Sequence, residues 1–136
     1  MKTKFLLTSA LFIASVAIFS IITAFQPKKP WVVPGKYVSM KNPVASNAES
    51  LKNGKELFIK NCQSCHGKSG HGDGPKAAQL KTDPGSFAPA DVQKQTDGAL
   101  FYKISEGRED MPSFKKKIPD EEDIWSLVDY VRTLNK

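Results

Sequence analysis

Cysteine is scarce in this chain: two in 136 residues, Cys62 and Cys65. One pair cannot build a disulfide framework, so the fold is not stapled that way. Histidine is equally scarce, with only His66 and His71. A zinc knuckle on the two thiols needs two more ligands, and a tetrahedral site using both Cys65 and its neighbour His66 is strained. The chain carries no internal repeat, no low-complexity tract and no nucleic-acid-binding module. Its net charge is +6 and its pI is near 9.3, but the basic residues are scattered rather than massed on one helix. That balance leaves an anionic membrane surface or an acidic protein as the partner of a basic chain. The length suits one small domain plus an appendage, with a modest core of its own.

What is present is Cys62-Gln63-Ser64-Cys65-His66, which reads C-x-x-C-H, the attachment signal of a c-type haem. The two thiols have the spacing to add across the vinyl groups of one porphyrin, and the adjacent imidazole can turn onto the iron. A bound porphyrin would enlarge the core as an apolar slab. Zinc and a thioredoxin-like dithiol are the competing readings. The dithiol reading wants a buried strand before the motif, whereas the residues before Cys62 have a helical pattern.

Residues 5–25 carry no charge over 21 positions, following Lys2 and Lys4. As a helix they would span roughly 31 Å, about one bilayer core. The segment 1–25 is therefore read as an export signal, cleaved after Ala24, or as a retained anchor helix; its length favours the anchor. Residues 26–47 form a linker or lead-in in which Pro27, Pro30, Pro34 and Pro43 break any helix. Trp31, Val32, Val33 and Tyr37 make it too apolar for a pure spacer. It either lies extended along the folded domain or serves as a disordered tether with Trp31 at the membrane interface.

Residues 48–136 make the folded domain, and its pattern is all-α. A first helix starts between Ser46 and Ser50, where Ser46-Asn47-Ala48-Glu49 has the form of a capping box, and runs to about Cys62. Leu51, Gly54, Leu57, Phe58 and Cys62 share one face, and a close helix crossing would explain a glycine inside a helix. A short turn is expected over residues 76–80, and a helix from Gly98 to about Glu106 capped by Thr96 or Asp97. The last helix runs from about Asp120 to Leu134, with Ile124, Leu127, Val128, Val131 and Leu134 as its stripe. After His66, five residues of glycine and proline over 67–75 mark a tight loop approaching the site. It is no phosphate loop, because it lacks a Lys-Ser/Thr ending and a preceding strand.

Met111, 45 residues after His66, is the candidate second iron ligand. A thioether is a soft ligand and raises the potential of such a haem. The polar stretch Gly107-Arg108-Glu109-Asp110 argues against a core-filling methionine there. His71 is the rival ligand, but it lies too near His66 to reach the opposite face of a ring.

On these residues the chain resembles a monohaem class I c-type cytochrome. The likeness covers residues 50–134: the helix with Gly54 and Phe58, then Cys62 to Gly67, Gly72-Asp73-Gly74-Pro75, Asp97-Gly98, Gly107, Met111-Pro112, and Trp125 with Tyr130. It resembles the bacterial type with a CHGxxGxGDGP loop. The resemblance implies a cytochrome c-like helical domain around one covalent haem c. Cys62 and Cys65 would form the thioethers, and His66 and Met111 would be the iron ligands. It further implies that Gly54, Phe58, Leu127 and Tyr130 form the crossing of the first and last helices. Pro75 would offer its carbonyl to the His66 ring, and Leu80 and Phe101 would line the haem. Arg108 would either neutralise a propionate or stay solvated. The implied function is electron transfer between redox partner proteins on the periplasmic side of the cytoplasmic membrane, with no nucleic acid involved and membrane association through residues 5–25 if they are retained. Lys115, Lys116 and Lys117 are either a steering patch for an acidic partner or a solvated run. Two other classes remain: a five-coordinate haem protein binding gases or reducing peroxide, and a subunit of a larger oxidoreductase complex.

Overall fold

Prolines before Asn47 and a run of polar turns after His66 divide this chain into a few helices joined by long connections. The computed structural model describes residues 30–136. Val33–Lys136 form one compact unit. The helices of the compact unit are α1 (Gly35–Val38), α2 (Ala48–Asn61), α3 (Gln63–His66), α4 (Ala90–Gln93), α5 (Asp97–Glu106) and α6 (Glu121–Arg132), with a 3-10 turn at Ala77–Gln79. Among the described residues the β-pairing is one isolated antiparallel bridge, Arg108 to Met111. The expected hydrophobic helix of residues 5–25 lies outside the described residues. No helix among those described is long and apolar enough to cross a membrane.

The capping box of α2 falls one residue later than its sequence pattern suggests. Asn47, not Ser46, is the N-cap. Its Oδ1 accepts from the Glu49 and Ser50 amides at 2.9 and 3.0 Å, and Ser50 Oγ accepts from the Asn47 amide at 3.0 Å. The shift follows from Ser50, which is buried and donates its own proton to the Ala45 carbonyl, so its hydroxyl is held at the third helical position. Asn47→Ala is expected to cost about 1 kcal/mol of stability in a denaturant titration. No change in midpoint would mean the cap is idle.

α2 and α6 cross at Gly54. A Cβ there would run into the Ser126 carbonyl and lie 2.9 Å from the Tyr130 Cβ. Phe58, Leu127 and Val128 fill the crossing and are at most 1% exposed. Each is worth roughly 1.5–3 kcal/mol of burial. The Phe58 and Tyr130 rings tilt together at 5.3 Å. The crossing expected from the helix glycine is thus present, with the four residues in contact. The α6 stripe buries Ile124, Leu127, Val128 and Val131 as its period requires, and adds Trp125.

The proline-broken lead-in carries one helical turn after all. Pro34 has the fixed φ that a helix entry tolerates, and α1 begins at the next residue. Tyr37 then meets Tyr102 of α5 at 4.7 Å. Gly98 admits the strap, since a Cβ there would collide with the Tyr37 carbonyl and press on Met40. Asn42 hooks it to α6, donating from Nδ2 to Asp129 Oδ1 at 2.8 Å.

Asp129 is buried, and its Oδ2 has no hydrogen-bond partner. Burial first, and then the charge of Asp97, push its carboxyl above the ordinary 3.8, against the opposing pull of Asn42 and Arg132. A carboxyl with a raised native pKa binds more protons folded than unfolded, so its contribution to stability falls as pH rises through that value. Asp129→Asn removes this penalty. The unfolding free energy of the variant relative to the original is expected to grow as pH climbs from 3.8, then level off. A difference that does not vary with pH would show that Asp129 titrates normally.

Candidate haem site

The motif folds as one tight turn. Cys62 ends α2, its amide bonding to the Phe58 carbonyl at 2.8 Å. Its own carbonyl then accepts from the Cys65 amide at 3.1 Å and the His66 amide at 2.9 Å. Cys62, Cys65 and His66 therefore share one turn, α3 and its cap. The thiols are unpaired and half-buried. Burial, with a smaller contribution from Cys65, pushes the Cys62 thiol up to about 12. This is the reverse of an activated dithiol, whose reactive thiol is shifted down.

His66 is buried, and burial holds its imidazole below the ordinary 6.5. The Gly85 carbonyl near the ring offsets part of that effect, yet Nδ1 itself is buried with no hydrogen-bond partner. The expected bond from Pro75 is not made. The ring instead stacks on Phe87, centroids 4.6 Å apart and planes 25° apart. Phe87 and Gly85 were not singled out by the sequence. The only signal was a lone aromatic just after a Pro-Gly turn.

The glycine-rich loop does fold back on α3 as expected. Gly72 donates to the His66 carbonyl at 2.8 Å, Gly74 to Cys65 at 3.1 Å and Lys76 to Ser64 at 2.9 Å. Gly74 permits the contact, since a Cβ there would sit 2.5 Å from the Ser64 carbonyl oxygen. His71 is exposed on this loop, with Nδ1 3.4 Å from Ser86 Oγ.

Met111 follows a strained four-residue loop. Arg108 and Met111 exchange amide bonds at 2.8 and 2.9 Å, and Glu109 between them has φ +56°. The next residue, Asp110, accepts at Oδ2 from both the amide and the hydroxyl of Thr82, at 2.8 and 2.9 Å. These two bonds hold the Asp110 carboxyl below the ordinary 3.8. Met111 is half-buried and packs on the cluster that contains Phe58, Leu127 and Val131. Cys62 and Phe87 pack on the same cluster, so the fold brings the separated candidates onto one apolar mass.

One expectation changes. Phe101 does not stand free to line a haem: it stacks on Trp125 at 4.2 Å and lines the pocket under Tyr37 and Met40. The reason is the strap, which gives that side of α5 an apolar roof. Lys115, Lys116 and Lys117 are all exposed, which suits either reading of the run; Lys115 is paired with Glu106, and Lys117 lies 5.7 Å over the Phe114 ring. Leu80 is half-buried, and Arg108 lies 4.0 Å from Glu109.

Among the described residues no group of three or more His, Cys, Asp or Glu gathers to hold a bare metal ion. The donor set does fit a covalent haem. It offers two unpaired thiols and a buried imidazole, kept neutral and with one ring nitrogen unclaimed, on a single turn beside apolar surface.

The family described as "Cytochrome C oxidase, cbb3-type, subunit III" matches residues 49–131. Cytochrome c6 of Alaria esculenta is 30% identical over 83 residues, which are 61% of this chain and 90% of that protein. The solved KustC0563 c-type cytochrome is 33% identical, with a TM-score of 0.54, over 61% of this chain and 98% of its own. A chain of the Kuenenia stuttgartiensis reducing HAO-like protein complex Kustc0457/Kustc0458 is 25% identical, with a TM-score of 0.60, over 84% of this chain. This protein spans about half of that neighbour, 54% of its length. With the helices crossing at Gly54 and the motif on one turn, the chain belongs to the cbb3-type subunit III family of cytochrome c domains, all-α electron carriers that bind covalent haem c.

Proposed function

We propose that this protein is a monohaem class I cytochrome that passes one electron at a time between redox partner proteins on the outer side of the cytoplasmic membrane. Cys62 and Cys65 would form the two thioethers, and His66 and Met111 would be the iron ligands. The observation that carries this reading is the single turn presenting both thiols and a buried, neutral imidazole, on the same apolar cluster as Met111. When bound, the haem supplies a reversible one-electron couple. The chain's part is to attach it, to bury it and to keep the ligands still. Two protein ligands leave no open position for a substrate, so the role is carriage rather than turnover. Residues 5–25 carry the chain to its compartment and, if retained, tether it there.

Optical spectra of the purified, exported protein test the assignment. The pyridine adduct is expected to report two thioethers, and the oxidised form a weak band at the red end from sulfur bound to iron. The reduced form is expected to resist carbon monoxide. Rapid carbon monoxide binding with no red band would favour the five-coordinate reading instead.

A place within a larger complex is the second reading. The likeness to the HAO-like complex chain covers 84% of this sequence, more than residues 48–136 can supply, so it extends into the lead-in. Co-purification of other subunits after mild detergent extraction distinguishes a fixed subunit from a free shuttle.

A further inference from the structure

We infer that Asp110 and Thr82 form a clasp that positions the Met111 thioether, an inference that rests on reading Met111 as the distal ligand. Both bonds converge on one carboxylate oxygen, Asp110 Oδ2, from the Thr82 amide and hydroxyl. Asp110 precedes Met111 directly, so its side chain fixes the peptide from which the thioether projects. The contact crosses 28 residues, so it is not the local turn bond that aspartate often makes. Charge-assisted bonds of this kind are the stronger class.

The other anchors of the Met111 loop run elsewhere. Phe114 donates to the carbonyls of Ile104 and Ser105, and Ser113 Oγ to Ser105, all on α5. The clasp ties the loop to a different segment, residues 82–87. That segment reaches the other candidate ligand at its far end, where Phe87 stacks on His66 and the Gly85 carbonyl lies near the ring. It is pinned by the Phe87 amide on the Gly70 carbonyl at 2.8 Å, and by Asp83 Oδ1, which accepts from the Gly85 amide at 2.9 Å. One short segment therefore touches His66 at one end and the residue before Met111 at the other. Glu109, in a left-handed conformation, makes the Met111 loop a place where backbone strain needs outside support. Thr82 and Asp110 are positioning residues that supply it, and the 82–87 segment links the Met111 loop to the surroundings of His66.

Exogenous imidazole, which competes with a thioether for ferric iron, is the probe. With haem-loaded protein, Asp110→Ala, which loses both bonds, is expected to bind imidazole about tenfold more tightly than the original. The red band should weaken in parallel. Asp110→Asn keeps an oxygen able to accept both bonds, and is expected to stay within about twofold. Thr82→Val loses only the hydroxyl bond and should fall between, which preserves the test if Asp110→Ala cannot be loaded. Asn47→Ala serves as a variant destabilised elsewhere, and its imidazole affinity should not change. If the original protein shows the red band and neither Asp110→Ala nor Thr82→Val alters imidazole affinity, the clasp is overturned while Met111 ligation stands. If the original protein shows no such band, Met111 ligation fails and the clasp falls with it.

Discussion

Replacing Cys62 and Cys65 together by alanine is expected to abolish covalent haem attachment, leaving a protein whose colour is removed by acid-acetone extraction or absent. Each single replacement should leave one thioether, seen as a red-shifted pyridine adduct. The expectation follows from local geometry, because both thiols project from one turn closed by the Cys62 carbonyl. The chain has no other thiol to substitute for them. The effect also extends to folding. A domain of this size has little core to spare, and a missing porphyrin removes the apolar slab that would enlarge it. Lower helical circular dichroism and a lower Tm are therefore expected along with the lost colour. A double variant that still holds its haem through acid-acetone treatment would remove the thioether assignment.

Enlarging Gly54 is expected to produce the second large effect. Gly54→Val should cost about 3 kcal/mol or more, or prevent folding, because the new atoms meet the Ser126 backbone carbonyl rather than a side chain that can swing aside. Relief requires α2 and α6 to part, which would open the seam holding Phe58, Leu127 and Val128. Gly35 is the matched control. Nothing lies within 4 Å of a Cβ built there, so Gly35→Ala should stay within about 0.5 kcal/mol. Denaturant unfolding of haem-loaded protein measures both. A Gly54→Val protein as stable as the Gly35→Ala control would show that the helices separate freely and that the crossing does not hold the domain together.

Both outcomes were foreseeable from sequence to different degrees, and the difference has a physical origin. The C-x-x-C-H signal is local: five consecutive residues with reactive groups at fixed spacing. The helices that carry it were also visible, because period, caps and charge at helix ends act within a few residues. Even so, the cap of α2 moved from Ser46 to Asn47. Two adjacent residues had equal capping ability, and the buried Ser50 hydroxyl selected between them. Gly54 announced a close approach but not which carbonyl it admits. The single turn α1 was hidden by flanking prolines, which forbid helix interiors but not helix starts.

The site shows the same division more sharply. Amino-acid order alone determined that both thiols and an imidazole lie within five consecutive residues, and that a methionine follows in a polar loop. Tertiary structure decided the surroundings: the Phe87 ring flat on His66, the Thr82 grip on Asp110, and the turning of Phe101 toward Trp125. Local patterns are written by neighbours in the chain and survive in a linear text. Contacts between residues 21 or 28 positions apart depend on how loops close over a shared core. Loop closure costs entropy that only slowly depends on length and hardly on composition, so it leaves no short-range trace in the sequence.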